Sequence, residues 1–322
     1  MSNSTLKTAT ASPARIALAF AGIYLIWGTT YLAIAVSIDT LPPFTSGALR
    51  FLMAAAMMFL WLRGRSTQPL KGISWRWALI CGVLLTGFGN GLVVWAQQGV
   101  PSGIAALVVA SIPVFVLAID WMFFQRRAPT VIAALGIAMA VVGVAAVVTH
   151  THTIAGKAQP MHIAAILLAV LAWSAGTLLQ KRAVRADQVV AFTCAQIFFG
   201  GLLQLLLATL NSEWNALDVA QVSLRSILAV SYLIVFGSIV ALNCYSWLLA
   251  HVPAQKVSTY ALVNPIVALL LGAWLLDERI TPTVIGSVLL VLFGVSLVLF
   301  QDRVSSLWRR AFKINNIVTP VE

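Results

Sequence analysis

The chain has 322 residues, 61% of them hydrophobic and 9% charged, with a formal net charge of +11 at pH 7. Soluble domains carry about a quarter charged residues, so this composition excludes a water-soluble fold. Taken without positions, the positive excess suits nucleic acid or anionic lipid; the placement of the charges along the chain decides between these and a simpler account.

The apolar residues fall into ten runs of about 20, each long enough to cross roughly 30 Å of hydrocarbon as a helix. The predicted spans are 16–36, 44–62, 77–97, 103–124, 129–149, 163–180, 190–210, 227–249, 258–276 and 282–300. The fold class is therefore an all-α integral membrane protein. The first run follows Arg15 and ends in Ala33-x-Ala35 as a secretory signal does. Its length and its Tyr24, Trp27 and Tyr31 mark a retained span instead.

Polar side chains are costly in hydrocarbon and turn toward protein or a wet cavity. In span one, Trp27, Thr30 and Tyr31 share a helix face at i, i+3 and i+4. Span two carries Arg50, a buried cation near its outer end, which snorkels outward or meets helix-end carbonyls. Span three sets Asn90 and Gln97 seven apart, with Trp95 near the end, where an aromatic belt also accounts for it. Its Gly87-Phe-Gly89-Asn-Gly91 follows no strand, so Gly87-x-x-x-Gly91 is a close helix contact and not a phosphate loop. In span four, Pro113 removes a donor and frees the Val109 carbonyl, giving either a hinge or a static kink. Asp120, near the inner end of the same span, is the one carboxylate inside any predicted span.

Residues 149–161 form the predicted link between halves, an external loop. His150, His152 and His162 have no further ligands at metal-like spacing, so no metal is assigned. Span six places Trp173, Thr177 and Gln180 on one stripe. Cys81, Cys194 and Cys244 lie in spans as small buried hydrophobes. In span eight Asn243 and Trp247 are four apart; in span nine Lys256, Tyr260 and Asn264 form a stripe, followed by Pro265, which frees Ala261. Asn243 and Asn264 fall at one depth. They either bind a ligand together or hydrogen-bond each other or backbone across helices.

A Trp-x5-Pro-x11-Pro pattern occurs twice: Trp95, Pro101, Pro113, and again Trp247, Pro253, Pro265. Five spans per half is an odd number, so the second copy enters the membrane inverted. Arg126 and Arg127 end span four, whereas Asp277 and Glu278 end span nine. With a cytoplasmic N-terminus, most basic residues fall inside, and the positive-inside rule accounts for the net charge without nucleic acid. The predicted units are 1–150, with a short N-terminal tail, and 151–322, with a basic C-terminal tail. Both termini are cytoplasmic at the plasma (inner) membrane. Inverted repeats characterise proteins that move a solute across a bilayer.

The segments Ile26-Trp27-Gly28-Thr29-Thr30-Tyr31, Arg50-Phe51, Val100-Pro101-Ser102-Gly103 and Tyr260-Ala261-Leu262-Val263-Asn264-Pro265 resemble the EamA family of the drug/metabolite transporter superfamily. The resemblance covers about residues 16–300. It implies two inverted five-helix repeats around a central cavity, lined by helices one, three, four, six, eight and nine, with five and ten behind. It further implies export or uptake of small metabolites. Lys256 stands where the family leads one to expect a small residue.

Aromatics and amides around a mostly uncharged cavity suit a neutral or zwitterionic solute with an apolar portion. The leading expectation is efflux of amino acids or related metabolites by alternating access. An importer or exchanger of another metabolite class, or a membrane regulatory protein that binds a partner without transport, are the alternatives. No catalytic constellation is present, so no enzyme is expected, and no cofactor is called for. Partners are the small-molecule solute and the lipid bilayer; oligomeric state is not set by the sequence.

Overall fold

The computed structural model describes residues 12–125, 129–155 and 160–311, and all regular structure among them is helical. The spans are α1 (Pro13–Ser37), α2 (Pro43–Arg63), α3 (Trp75–Ala96), α4 (Ser102–Phe124) and α5 (Val131–Ala155). The second half supplies α6 (Pro160–Ala183), α7 (Val189–Leu210), α8 (Leu224–His251), α9 (Ala254–Leu275) and α10 (Pro282–Ala311). Proline opens α1, α2, α6 and α10, where its fixed φ suits the first turn and its missing N–H has no helical partner to lose.

Two sequence boundaries move. The predicted loop at 149–161 is mostly helix, because α5 continues to Ala155 and α6 starts at Pro160. The last helix passes its predicted end at residue 300, turning at Phe300 (φ −108°, ψ 15°) before continuing. Arg126, Arg127 and Lys157 lie outside the described residues.

α5 and α10 pack along each other at the back, as the family resemblance implied. Glycine makes that closeness possible: a Cβ on Gly136 would stand 2.5 Å from the Gly294 carbonyl, and one on Gly143 would meet Val291 at 2.7 Å. In lipid, such small residues let helix backbones approach and gain dispersion contact. α2 pairs with α7, and α3 joins them, with Gly87 against Leu203 and Gly91 against Gln204. The remaining helices form the centre: α1 packs on α8 and α9, α6 on α3 and α4, and α4 on α9.

Four helices, α3, α4, α8 and α9, are distorted. α3 widens to π-helical turns over Gly82–Asn90, and α8 does so over Leu233–Val240, at matching places in the two halves. α4 is interrupted at Ala110 and Ser111 and restarts at Ile112. Pro113 thus sits in a first turn, where its missing donor costs nothing; the predicted mid-helix kink is a break. α9 is interrupted between Val257 and Tyr260, and Pro265 lies within the helix that follows.

On the face opposite the start of α1, here the distal face, two glutamates tie the halves together. Glu213, in the link after α7, accepts from Phe44 N (3.1 Å), Thr45 N (2.7 Å) and Thr45 Oγ1 (2.9 Å) at the start of α2. Glu278, after α9, accepts from Ser102 N (2.7 Å) and Gly103 N (3.1 Å) at the start of α4. A left-handed residue precedes each: Ser212 (φ 55°) and Asp277 (φ 54°). Each carboxylate satisfies orphan N–H groups and meets the positive end of a helix from the other half.

Candidate functional site

The central helices line a partly open cavity of about 60 Å³. It runs from the middle of the helices toward the distal face: on α1 it starts at Trp27 and continues along Thr30, Tyr31 and Ile34. α3 contributes Thr86 and Asn90, α4 Val109 and Ile112, and α6 Val170 and Trp173. α8 adds Leu242, and α9 adds Tyr260 and Asn264. α2 also takes part, through Arg50 and Phe51, beyond the six helices implied by the resemblance.

An aromatic cluster floors the cavity. The Trp27 ring lies 5.5 Å from Trp173 and 5.0 Å from Tyr260, both edge-on, and 5.1 Å from Tyr245. Edge-to-face pairs of this kind contribute about 0.5–1.5 kcal/mol each beyond area burial. Trp27 Nε1 donates to the Gly237 carbonyl (3.4 Å). Beneath the floor, Thr177 hydrogen-bonds both the Trp173 carbonyl and Tyr245 Oη, and Gln180 Nε2 donates to Ser246 Oγ at 2.8 Å. The α6 stripe is real, but only Trp173 reaches the cavity; Thr177 and Gln180 seal α6 against α8.

Arg50 is 3% exposed and points into this space. Its Nε donates to Ser238 Oγ (2.8 Å) and its Nη1 to Asn90 Oδ1 (3.4 Å). Ser238 belongs to the wide turns of α8, and Asn90 ends those of α3. The one ion pair among the described residues is the exposed Arg185–Asp187 contact, so Arg50 has neutral partners only. Gly237 makes room for it, since a Cβ there would stand 2.9 Å from Arg50 Nη2.

Asn264, oriented to suit its neighbours, donates to the Tyr24 and Tyr260 carbonyls at 3.2 Å each. It thereby ties α9 to α1 at the cavity wall. Asn243 does not join it. Its Nδ2 donates to the Ile239 carbonyl (2.6 Å), at the end of the α8 wide turns, and lies 3.5 Å from Met58 Sδ on α2. The wide turns shift the helical register, so the pairing of amides expected from depth fails.

Other residues expected at the cavity also lie elsewhere. Asn243 and Trp247 face a separate depression, shared with Arg15, Trp61 and Lys71 near the start of α1. Trp95 stacks on His162, with ring centroids 4.8 Å apart. α3 ends at Ala96, so the seven-residue spacing does not carry Gln97 onto the Asn90 face; Gln97 is buried with neither amide atom hydrogen-bonded. Lys256 is exposed, because the break before Tyr260 takes it off the α9 stripe. Asp120 is buried near the far end of α4 and does not line the cavity. Sequence reading missed Thr86, Phe51 and the floor residue Tyr245. Only Tyr245 left a trace, as an aromatic amid the polar residues of span eight.

The EamA-like transporter family model matches the chain twice, over residues 14–149 and 160–300. The chain belongs to the EamA-like transporter family. It is a membrane transporter rather than an enzyme. The uncharacterized inner membrane transporter YedA of Escherichia coli K12 is 32% identical over 302 residues, 93% of each chain. Protein PagO of Salmonella typhimurium is 27% identical, covering 88% of this chain and 92% of its own. A probable amino-acid metabolite efflux pump of Escherichia coli K12 is 24% identical, covering 91% and 96%. A solved crystal structure shares the fold, with a TM-score of 0.63 at 19% identity over 94% of this chain and 100% of its own.

Proposed function

We propose that this EamA-family member exports amino acids or related small metabolites across the inner membrane by alternating access, with both termini in the cytoplasm. The two halves, 1–150 and 151–322, move against each other, with the break before Pro113 and the helix at Pro265 as flexible points. One observation carries the reading: a cavity near the middle of the helices, between the halves, has a polar wall over an aromatic floor. Transporter sites of inverted-repeat proteins lie at this level, beside interrupted helices. Efflux and the amino-acid class draw support from the relative described as a probable amino-acid metabolite efflux pump. The lining residues include no carboxylate and no histidine, which favours exchange or facilitated diffusion over proton coupling.

The test is solute flux in proteoliposomes, loaded in turn with labelled leucine, phenylalanine and threonine. Trp27→Ala and Asn264→Ala lose flux at normal protein levels, while Trp274→Ala, altering an outward-facing ring on α9, keeps it. Undiminished flux in both cavity variants refutes the assignment of the site.

A further inference from the structure

Within that reading of the cavity, we infer that the solute is a monocarboxylate with an apolar, preferably aromatic, body, and that Arg50 holds its carboxylate. A guanidinium offers five N–H donors, and protein acceptors engage one on Nε and one on Nη1. Nη2 has no protein acceptor among the described residues, although Arg50 is almost wholly buried and lines the cavity. A buried cation with neutral partners is costly, and in a membrane interior it marks a ligand or an ion path. Carboxylate is the group whose geometry matches the two-pronged donor set.

The body of the solute follows from what lies beside Arg50. Arg50 and Trp27 meet at Gly237: the guanidinium packs over its α-carbon, and the indole donates to its carbonyl. The carboxylate site and the aromatic floor are therefore neighbours, which suits an acid group a short chain away from a ring. No lining residue offers a carboxylate to an ammonium group. An α-amino group is therefore dispensable, and deaminated acids bind as well as amino acids do. Of the neutral or zwitterionic solutes suggested by the aromatic and amide residues, the neutral ones give way, and anionic ones join the zwitterionic.

Binding of four probes of one skeleton tests this, measured calorimetrically on purified full-length protein: 3-phenylpropanoate, phenylalanine, 2-phenylethylamine and 3-phenylpropan-1-ol. The two acids bind at least about tenfold more tightly than the amine and the alcohol, as loss of a charge-assisted bidentate contact dictates. Arg50→Gln abolishes the difference between 3-phenylpropanoate and the alcohol, and Arg50→Lys restores part of it. An amine or alcohol that binds the unaltered protein as tightly as the acids overturns the inference without any variant. So does failure of all four probes on protein that still shows Trp27-dependent flux. Absence of flux for every solute removes the transport reading as well.

Discussion

Replacing Glu213 by alanine is the sharpest test of how the halves are joined. The carboxylate is 8% exposed and accepts from two backbone N–H groups and one hydroxyl at the start of α2. Hydrogen bonds to a charged group contribute about 1.5–3 kcal/mol each, but they are not additive at one carboxylate. Water also re-enters a helix end more readily than a core. A total near 3 kcal/mol results, and at about 2–4 °C per kcal/mol the melting temperature falls by about 6–12 °C. Glu213→Gln keeps an acceptor but loses the charge, so it falls about half as far. Asp39→Asn, at an exposed position, stays within about 0.5 kcal/mol. Unfolding in detergent can be followed with a thiol-reactive fluorophore, because Cys81 and Cys194 are buried and free. A Glu213→Ala protein that melts within 2 °C of the parent, where the effect should be about 6 °C or more, refutes the reasoning.

Two further outcomes test the interior. A Cβ on Gly103 would clash with Leu269 and stand 3.2 Å from its Cα, so Gly103→Ala pushes α4 from α9 and costs about 1–3 kcal/mol. An unchanged melting curve would show that this contact yields freely. Asp120→Asn leaves the response of transport to an imposed pH gradient unaltered, because Asp120 does not line the cavity. Proteoliposome flux with and without the gradient checks it, and loss of the response assigns Asp120 a place in coupling.

Where the helices stay regular, the sequence was a good guide. Trp27, Thr30 and Tyr31 were placed on one face by the 3.6-residue period, and α1 is unbroken through them. The same argument failed at Gln97, past the end of α3, at Asn243, after the wide turns of α8, and at Lys256, before the break in α9. Hydrophobicity finds a span but not the turn at which it changes pitch. Arg50 was recognisable as a buried cation, yet its partner Ser238 is 188 positions away and no local pattern links them. As sequence, Glu213 and Glu278 are no more than charges after spans seven and nine. Their capping role depends on helix starts in the other half, which one-dimensional spacing does not reveal.

The π-helical stretches of α3 and α8 decide which side chains can meet at the cavity. Each puts an extra residue into a turn and so rotates everything beyond it about the helix axis. With that offset Asn90 and Ser238, seated on those stretches, both reach Arg50. A regular pitch in either helix would carry its residue off the guanidinium.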